Sequence, residues 1–164
     1  MSMDMFLKVD GIDGESQGDG HTNEIDVNSF SFGVAITGGM MTYTGGGGTA
    51  GKAEFQEVHI DKYVDKATPT LIQHCASGVH IANATITVRK ASGANKIDFY
   101  IVKFTDLIIS SFSNSGGVND DRMSENITFN YQKIEFSYQP QDHQGNKAGG
   151  VVKGGWDVKA NKPA

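Results

Sequence analysis

Apolar and polar residues alternate along most of the chain with the period of two that is typical of β-strands. The alternation begins at Met5, Leu7 and Val9, and it recurs in the segments 24–37, 57–61, 81–90, 96–112, 125–139 and 155–159. These segments predict about seven strands, and no strand–helix–strand alternation separates them. The pattern therefore predicts an all-β barrel or sandwich.

Two of the predicted strands change phase part-way along their length. Ile25 and Val27 occupy odd positions, whereas the apolar residues that follow them occupy even positions. The same change occurs between Tyr131 and Ile134. A period of two changes phase only where the strand bends or gains a residue, so we predict a bend or bulge at residues 28–29 and another after Tyr131. Long, bent strands of this kind suit a curled sheet.

One segment predicts a short helix, over residues 68–77. Thr68 is a good N-cap residue, Pro69 is tolerated in the first turn, and Gly78 is a common terminator. Cys75, the only cysteine, lies on the apolar side of this helix. We expect its thiol to serve as a small buried hydrophobic group.

The composition is that of one folded domain over residues 1–164, with 20% charged and 38% hydrophobic residues. The net charge of -5 argues against a nucleic-acid partner, which requires clustered Lys and Arg. No apolar stretch reaches the length of a membrane helix, so no membrane insertion is expected. The first ten residues lack the pattern of a cleaved signal. We therefore expect a protein made in the cytoplasm, with any export following a route without a signal peptide.

The stretch GGGTAGKA, residues 46–53, resembles a phosphate-binding P-loop but lacks its last ligand. The motif places Ser or Thr after the lysine, where the hydroxyl binds magnesium, and this chain has Ala53 there. The residues after Lys52 also predict a strand, whereas a P-loop leads into a helix. The sequence thus favours a flexible loop over a nucleotide site.

The stretch GESQG, residues 14–18, matches the G-x-S-x-G elbow of hydrolases with Ser16 as nucleophile. A turn and a strand follow it, whereas the elbow requires a helix and a parallel sheet. We favour an ordinary turn and keep a small serine hydrolase as the alternative function. The histidines and acidic residues form no recognisable metal motif, so no metal and no cofactor are expected.

The segment 97–109 is apolar on both parities, although a strand on a solvated wall should have one polar face. We predict that its second face meets the helix or another subunit, which favours an obligate oligomer. The candidate interface residues on this strand are Tyr100, Val102 and Phe104.

Taken together, these motifs resemble the haemolysin co-regulated protein (Hcp) family of bacterial type VI secretion. The resemblance runs through MDMFLKVDGIDGES, HTNEIDVNSFSFG, the GGGGTAGK loop, DKATPTLIQHCASGVH, TVRKA, DRMSENITFNYQKIEFSYQPQ and GWDVKAN. These stretches span nearly the whole chain in one order, so the resemblance is specific.

The resemblance implies a compact β-barrel of two curved, largely antiparallel sheets with one flanking helix. It also implies a homohexameric ring that stacks into a tube, carries effector proteins in its lumen and is itself secreted. The expected partners are effectors, a VgrG spike and a contractile sheath. Neither enzymatic activity nor a fused toxin domain is expected. An oligomeric β-barrel that binds small ligands remains a further alternative.

The resemblance also assigns roles to two segments. Half of residues 38–51 are glycine, and the matching family loop helps one ring hold the next. The predicted stacking loop comprises Gly38, Gly39, Met40, Met41, Thr42, Tyr43, Thr44, Gly45, Gly46, Gly47, Gly48, Thr49, Ala50, Gly51 and Lys52. In SFSFG, the alternation places Phe30 and Phe32 on one side and Ser31 on the other. Ser31 resembles a lumenal position of the family, so we predict that it contacts effectors.

Overall fold

The computed structural model of the chain describes residues 2–36, 51–90 and 96–164, which form eleven β-strands and one α-helix. The predicted mainly β fold is thereby confirmed. The predicted stacking loop lies outside the described residues, apart from Gly51 and Lys52. In chain order the elements are β1 (Met3–Val9), β2 (Ile25–Asp26), β3 (Ser29–Ser31), β4 (Val34–Ile36), β5 (Ala53–Phe55), β6 (Val58–Tyr63), α1 (Thr68–Ser77), β7 (Ile81–Lys90), β8 (Asp98–Ser115), β9 (Ser124–Tyr138), β10 (Val152–Asp157) and β11 (Lys162–Pro163).

Nine of these strands form one antiparallel sheet that branches at β9. Its main path is β11-β10-β9-β8-β7-β1-β2, while β6 pairs with β9 and β3 pairs with β6. The first half of β9, residues 124–129, pairs with β6, and the second half, residues 133–138, pairs with β10. The strands β4 and β5 form a separate two-stranded ribbon. The branching gives the sheet two arms that share β8 and β9.

The predicted bend at residues 28–29 is confirmed, whereas the change of phase after Tyr131 occurs inside β9 with its register against β8 unbroken. At residues 28–29 the chain passes from β2, which pairs with β1, to β3, which pairs with β6. In β9 the buried positions change from Ile127 and Phe129 to Ile134. This change separates the half of β9 that pairs with β6 from the half that pairs with β10.

The prediction that the second apolar face of β8 meets the helix or another subunit is answered in part within the subunit, because α1 contacts β8 and the strand reverses its inward face at Asp106. This residue has a φ of 52°, a left-handed conformation that Asp tolerates better than most residues. Val102 is buried before it and Leu107 after it, so both parities serve the same core. The outer face of the first half carries Lys103, which is exposed. The reversal therefore places Val102 and Leu107 in one core, whereas Ile101 lies on the outer face beside Lys103.

The core lies between the two arms and is closed on one side by α1. It is formed mainly by apolar side chains of the long strands, with Leu71 of the helix added to them. The helix occupies the predicted residues and ends at Gly78, whose φ of 65° is left-handed and whose N–H donates to the His74 carbonyl at 3.0 Å. Cys75 is partly buried against the core.

The predicted N-cap role of Thr68 is wrong. Ala67 precedes the first helical residue, and no side chain caps the helix. The Thr68 hydroxyl instead donates to the Glu125 carboxylate at 2.9 Å. Glu125 is wholly buried and forms an ion pair with Lys62, which is also wholly buried. A buried charge needs such a partner, and this pair ties the start of α1 to β6 and β9.

Candidate functional site

One exposed face of the sheet is made almost entirely of small polar side chains. It extends over β3, β6, the first half of β9 and the second half of β8. Strand registers align its residues in two rows, which are Ser31–His59–Thr128–Ser111 and Ser29–Asp61–Asn126–Ser113. We call these eight residues the polar face; six of them are exposed, Asp61 is half-buried and Thr128 is buried. It contains one carboxylate and one imidazole, and it contains no Lys or Arg.

The opposite side of the same strands supplies the core, which fixes the direction in which the polar face points. Phe32 packs edge-on against Phe104, with ring centroids 6.3 Å apart, and stacks on Phe136 at 6.0 Å. Phe30 stacks on Phe32. With these rings turned inward, Ser31 is exposed on the edge strand of the polar face. The predicted sidedness of this segment is confirmed.

The polar face is held in shape by bonds on and beneath its surface. The Thr128 hydroxyl hydrogen-bonds to the hydroxyls of both Ser110 and Ser111, at the place where β8 carries a register shift. Directly below, the Lys62 ammonium donates to the Tyr63 carbonyl at 2.8 Å and to the Asp65 carboxylate at 2.9 Å, in addition to Glu125. The face is therefore built on paired strands that hydrogen bonds tie together on and below the surface.

The ribbon of β4 and β5 exposes apolar side chains beside this face. Val34 pairs with Phe55 and Ile36 with Ala53, so all four side chains share one side of the ribbon. Phe55 stacks on Trp156 at 6.5 Å, whereas Val34 and Ile36 are each 57% exposed. Isolated two-stranded ribbons are marginally stable, so this one is suited to a further contact.

Tyr131 fixes the base of the ribbon. Its ring lies edge-on to Phe55 at 6.4 Å, and its hydroxyl donates to the Gln56 carbonyl at 3.1 Å. Burial raises the pKa of Tyr131 to about 12. The phenol therefore stays protonated, and able to donate, throughout the physiological pH range.

The residues of the hydrolase alternative are not arranged for nucleophilic catalysis. Ser16 is 1% exposed, and its hydroxyl accepts the Gly18 N–H at 3.1 Å. The two ring nitrogens of His21 bond to the carboxylates of Glu24 and Asp98, so the imidazole does not activate Ser16. The residues after Lys52 form β5, which contradicts the helix that a P-loop requires.

The described residues contain neither a cluster of metal ligands nor a helix that could span a membrane. In residues 2–36, 51–90 and 96–164, no three His, Cys, Asp or Glu side chains converge as metal ligands. In the same part of the chain, no helix has the length and apolar character needed to cross a bilayer.

The chain matches known proteins over its whole length. A family profile described as "Type VI secretion system effector, Hcp" matches residues 6–138. The chain is 42% identical to "Protein hcp1" of Pseudomonas aeruginosa, over 100% of both chains. It belongs to the Hcp family. The resemblance found in the sequence is confirmed.

Solved structures of Hcp-family proteins have the same fold. A structure described as that of a type six secretion system protein superposes with a TM-score of 0.92, at 32% identity over 99% of this chain and 100% of that one. Hcp1 from Salmonella typhimurium gives a TM-score of 0.81, at 35% identity over 100% of both chains. The mainly β architecture described above is thus the Hcp fold.

The predicted site residues of this Hcp chain differ in whether their side chains are exposed. Ser31 lies on the polar face, as its alternation required. Val102 and Phe104, two of the predicted interface residues, are 0% exposed and belong to the core of their own subunit, so neither side chain is available to a neighbour. Tyr100 is only partly buried, and this burial raises the pKa of its phenol. It remains a candidate contact.

Several residues of the polar face were not identified from the sequence. His59, Asp61 and Asn126 lie far from Ser31 along the chain, and only the strand registers bring them together. The available signal was the alternation of VHIDKY and SENITFN, in which every second residue is polar. That signal shows a polar side for each strand but does not show that the two strands are neighbours.

Proposed function

We propose that this chain is a structural subunit of the inner tube of a type VI secretion system. Hexameric rings stack into the tube, leave the cell with it, and carry effector proteins in their lumen. The observation that supports this function best is the polar face, which is mostly exposed, continuous across four strands and tied by hydrogen bonds. Membership of the Hcp family supports the type of assembly.

The chemistry of the polar face suits a transport wall. Its Ser, Thr and Asn groups form hydrogen bonds of modest net strength, because each bond replaces one to water. The face lacks the buried aromatic or Arg anchors that dominate tight interfaces. Cargo is therefore held weakly enough to be released. In the proposed ring this face forms the lumen, with Ser31 at one edge.

Effector loading through Ser31 is tested by replacing it with Gln. In a hexamer the change introduces six longer side chains at one level of the lumen. Rings should form and be secreted normally, while the cellular level and ring association of a lumen-bound effector should fall several-fold. Ser77→Gln, at an exposed serine of α1, is the matched control. Unchanged binding of every such effector to Ser31→Gln rings would remove Ser31 from the cargo surface.

Stacking is assigned to the predicted loop of residues 38–52 and to the apolar side of the ribbon. A segment so rich in glycine loses much conformational entropy when it becomes ordered. We therefore expect its contacts to form only where a second ring is present to stabilise them. Deleting residues 40–50 should leave a folded ring, because a glycine-rich segment has few apolar side chains to contribute to a core. The variant should give hexamers by native mass spectrometry but no tubes by electron microscopy and no secretion. Normal secretion would contradict the assignment.

The remaining parts of the proposed function concern the route and the partners. The protein is made in the cytoplasm and leaves with the tube, without a cleaved signal. A VgrG spike at the tip and a contractile sheath outside are its partners in the apparatus. It acts as carrier and tube component, not as an enzyme, and it uses no cofactor. Native mass spectrometry of the purified chain tests the first step, since a monomer at micromolar concentration would contradict the ring.

A further inference from the structure

Four lysines surround one groove on the outer surface of β7–β10, although the chain is acidic overall. Two adjoining pockets of about 380 and 410 Å³ share Ile101 and Ser137 as their floor. The lysines around them are Lys96, Lys103, Lys147 and Lys153. We call this surface the lysine groove.

The charges of the lysine groove are not neutralised within the described part of the subunit. The ion pairs of the described residues include none of its four lysines. Its two carboxylates are outnumbered by the lysines: Asp98 contacts His21 at 3.1 Å, and Glu135, which lies opposite Lys103 in the strand register, contacts Lys133 at 3.6 Å. The groove therefore presents excess positive charge around an apolar strip that includes Ile101. It suits an acidic segment with an apolar tip.

The same chain carries a segment of that kind, at the turn between β8 and β9. In residues 116–121, which we call the hairpin tip, Val118 is fully exposed and stands beside Asp120 and Asp121. The turn is preformed, because the Asp120 carboxylate accepts the Gly117 N–H at 2.7 Å and the Asp120 N–H donates to the Gly117 carbonyl at 3.0 Å. The neighbouring Arg122 is drawn onto the Tyr63 ring, 5.0 Å from its centroid.

The hairpin tip cannot reach the lysine groove of its own subunit. Ile101 lies near the start of β8, and Val118 lies beyond its end. A strand advances about 3.3 Å per residue, so roughly 55 Å of chain separates the two. The paired strands β8 and β9 hold the tip away from the groove. Only another copy of the chain brings the two surfaces together.

We infer that the hairpin tip of one subunit docks into the lysine groove of the next, across the seam of the ring. This inference rests on the proposed function. A closed ring needs a heterologous contact, in which two different surfaces of each subunit meet those of its neighbours. The tip and the groove are different, remote and complementary in charge. They provide a contact between subunits, which Val102 and Phe104 do not provide because their side chains are buried.

Charge reversal tests the contact. Lys103→Glu with Lys153→Glu makes the groove acidic, and Asn119→Lys with Asp121→Lys makes the tip basic while keeping Asp120 in its turn. Each reversal should raise the subunit concentration at which half of the hexamers dissociate by about tenfold or more. The combined variant, reversed on both surfaces, should restore hexamers. Lys159→Glu with Lys162→Glu changes the net charge as much as the groove reversal but lies outside the groove, and it should leave the hexamer intact.

The outcomes separate this inference from the proposed function. A monomeric wild-type chain contradicts both. Wild-type hexamers that survive both reversals overturn the seam contact and leave the ring proposal standing, as does failure of the combined variant to recover. An oligoglutamate peptide should bind the monomeric tip-reversed variant through its intact lysine groove, but it should bind neither the groove-reversed variant nor the assembled ring. Binding to assembled rings at Lys103 and Lys153 would show a free groove, and would overturn the contact in favour of an acidic partner protein.

Discussion

Two outward-facing surfaces of the same sheet differ in solvent exposure. The polar face is open to solvent and carries small side chains. On β1 and β7 the outward side chains of Phe6, Thr87 and Arg89 are buried, to 4%, 6% and 4% exposure respectively. The loop of residues 14–24 covers them. Its His21 ring stacks on Phe6 at 4.4 Å, and the Arg89 guanidinium lies 4.8 Å from the Phe6 centroid.

The loop of residues 14–24 packs closely on the side chains that it covers. Arg89 donates to the Asp19 carbonyl at 2.7 Å, and His21 bonds to Asp98 at the start of β8. A Cβ at Gly18 would lie only 2.8 Å from the Phe6 ring, so glycine is required for this close approach. The loop therefore makes this surface part of the subunit interior. The difference teaches that strand alternation fixes the side of each residue but not what covers that side.

The largest expected effect comes from a position that the sequence assigned to an interface. Val102→Asp should unfold the subunit, because an unpaired carboxylate in the core costs roughly 3–5 kcal/mol or more, a large part of a typical domain's stability. Lys103→Asp, one residue away on the exposed side of β8, should remain folded. Circular dichroism and urea unfolding measure both. A Val102→Asp protein that is folded but monomeric would contradict this expectation and would indicate that Val102 lies at the subunit interface.

A smaller effect is expected from the buried charges beneath the polar face. Lys62→Met leaves Glu125 buried without its cation and should lower the free energy of unfolding by roughly 3–5 kcal/mol. The double variant Lys62→Met with Glu125→Leu should lose less, since the only carboxylate left without Lys62 is Asp65, which is 12% exposed and still accepts the Ala67 N–H. Lys66→Met, at an exposed lysine, is the control. Equal losses in the single and double variants would show that packing, and not charge, stabilises this place.

The sequence predicted the fold better than the site, for identifiable physical reasons. Alternation is local, so it placed Ser31 opposite Phe30 and Phe32 and predicted the bend at residues 28–29. It did not reveal the reversal at Asp106, because apolar residues precede and follow that position on both parities. An Asp within a long apolar strand was the available signal. The pairing of His59 with Ser31 and Thr128 depends on long-range register, which no local pattern contains.

The smallest of these stability effects concerns the covered surface. His21→Ala removes the stack on Phe6 and the bonds to Glu24 and Asp98, and should lower the free energy of unfolding by about 1–2 kcal/mol. Amide hydrogen exchange should rise in residues 14–24 and stay unchanged on the polar face. His80→Ala, at an exposed histidine that bonds to Asp106, is the control. Unaltered amide exchange in residues 14–24 would mean that the contacts of Arg89 and Gly18 are sufficient to keep the loop on the sheet.

Electron cryomicroscopy of the assembled protein tests the central claim most directly. The reconstruction should show a hexameric ring in which Ser31, His59 and Asn126 face the central channel, while the loop of residues 14–24 does not. The same map locates the hairpin tip relative to the neighbouring lysine groove. A ring whose polar face points outward, or lies buried at a seam, would contradict the account of this surface as the wall of a transport channel.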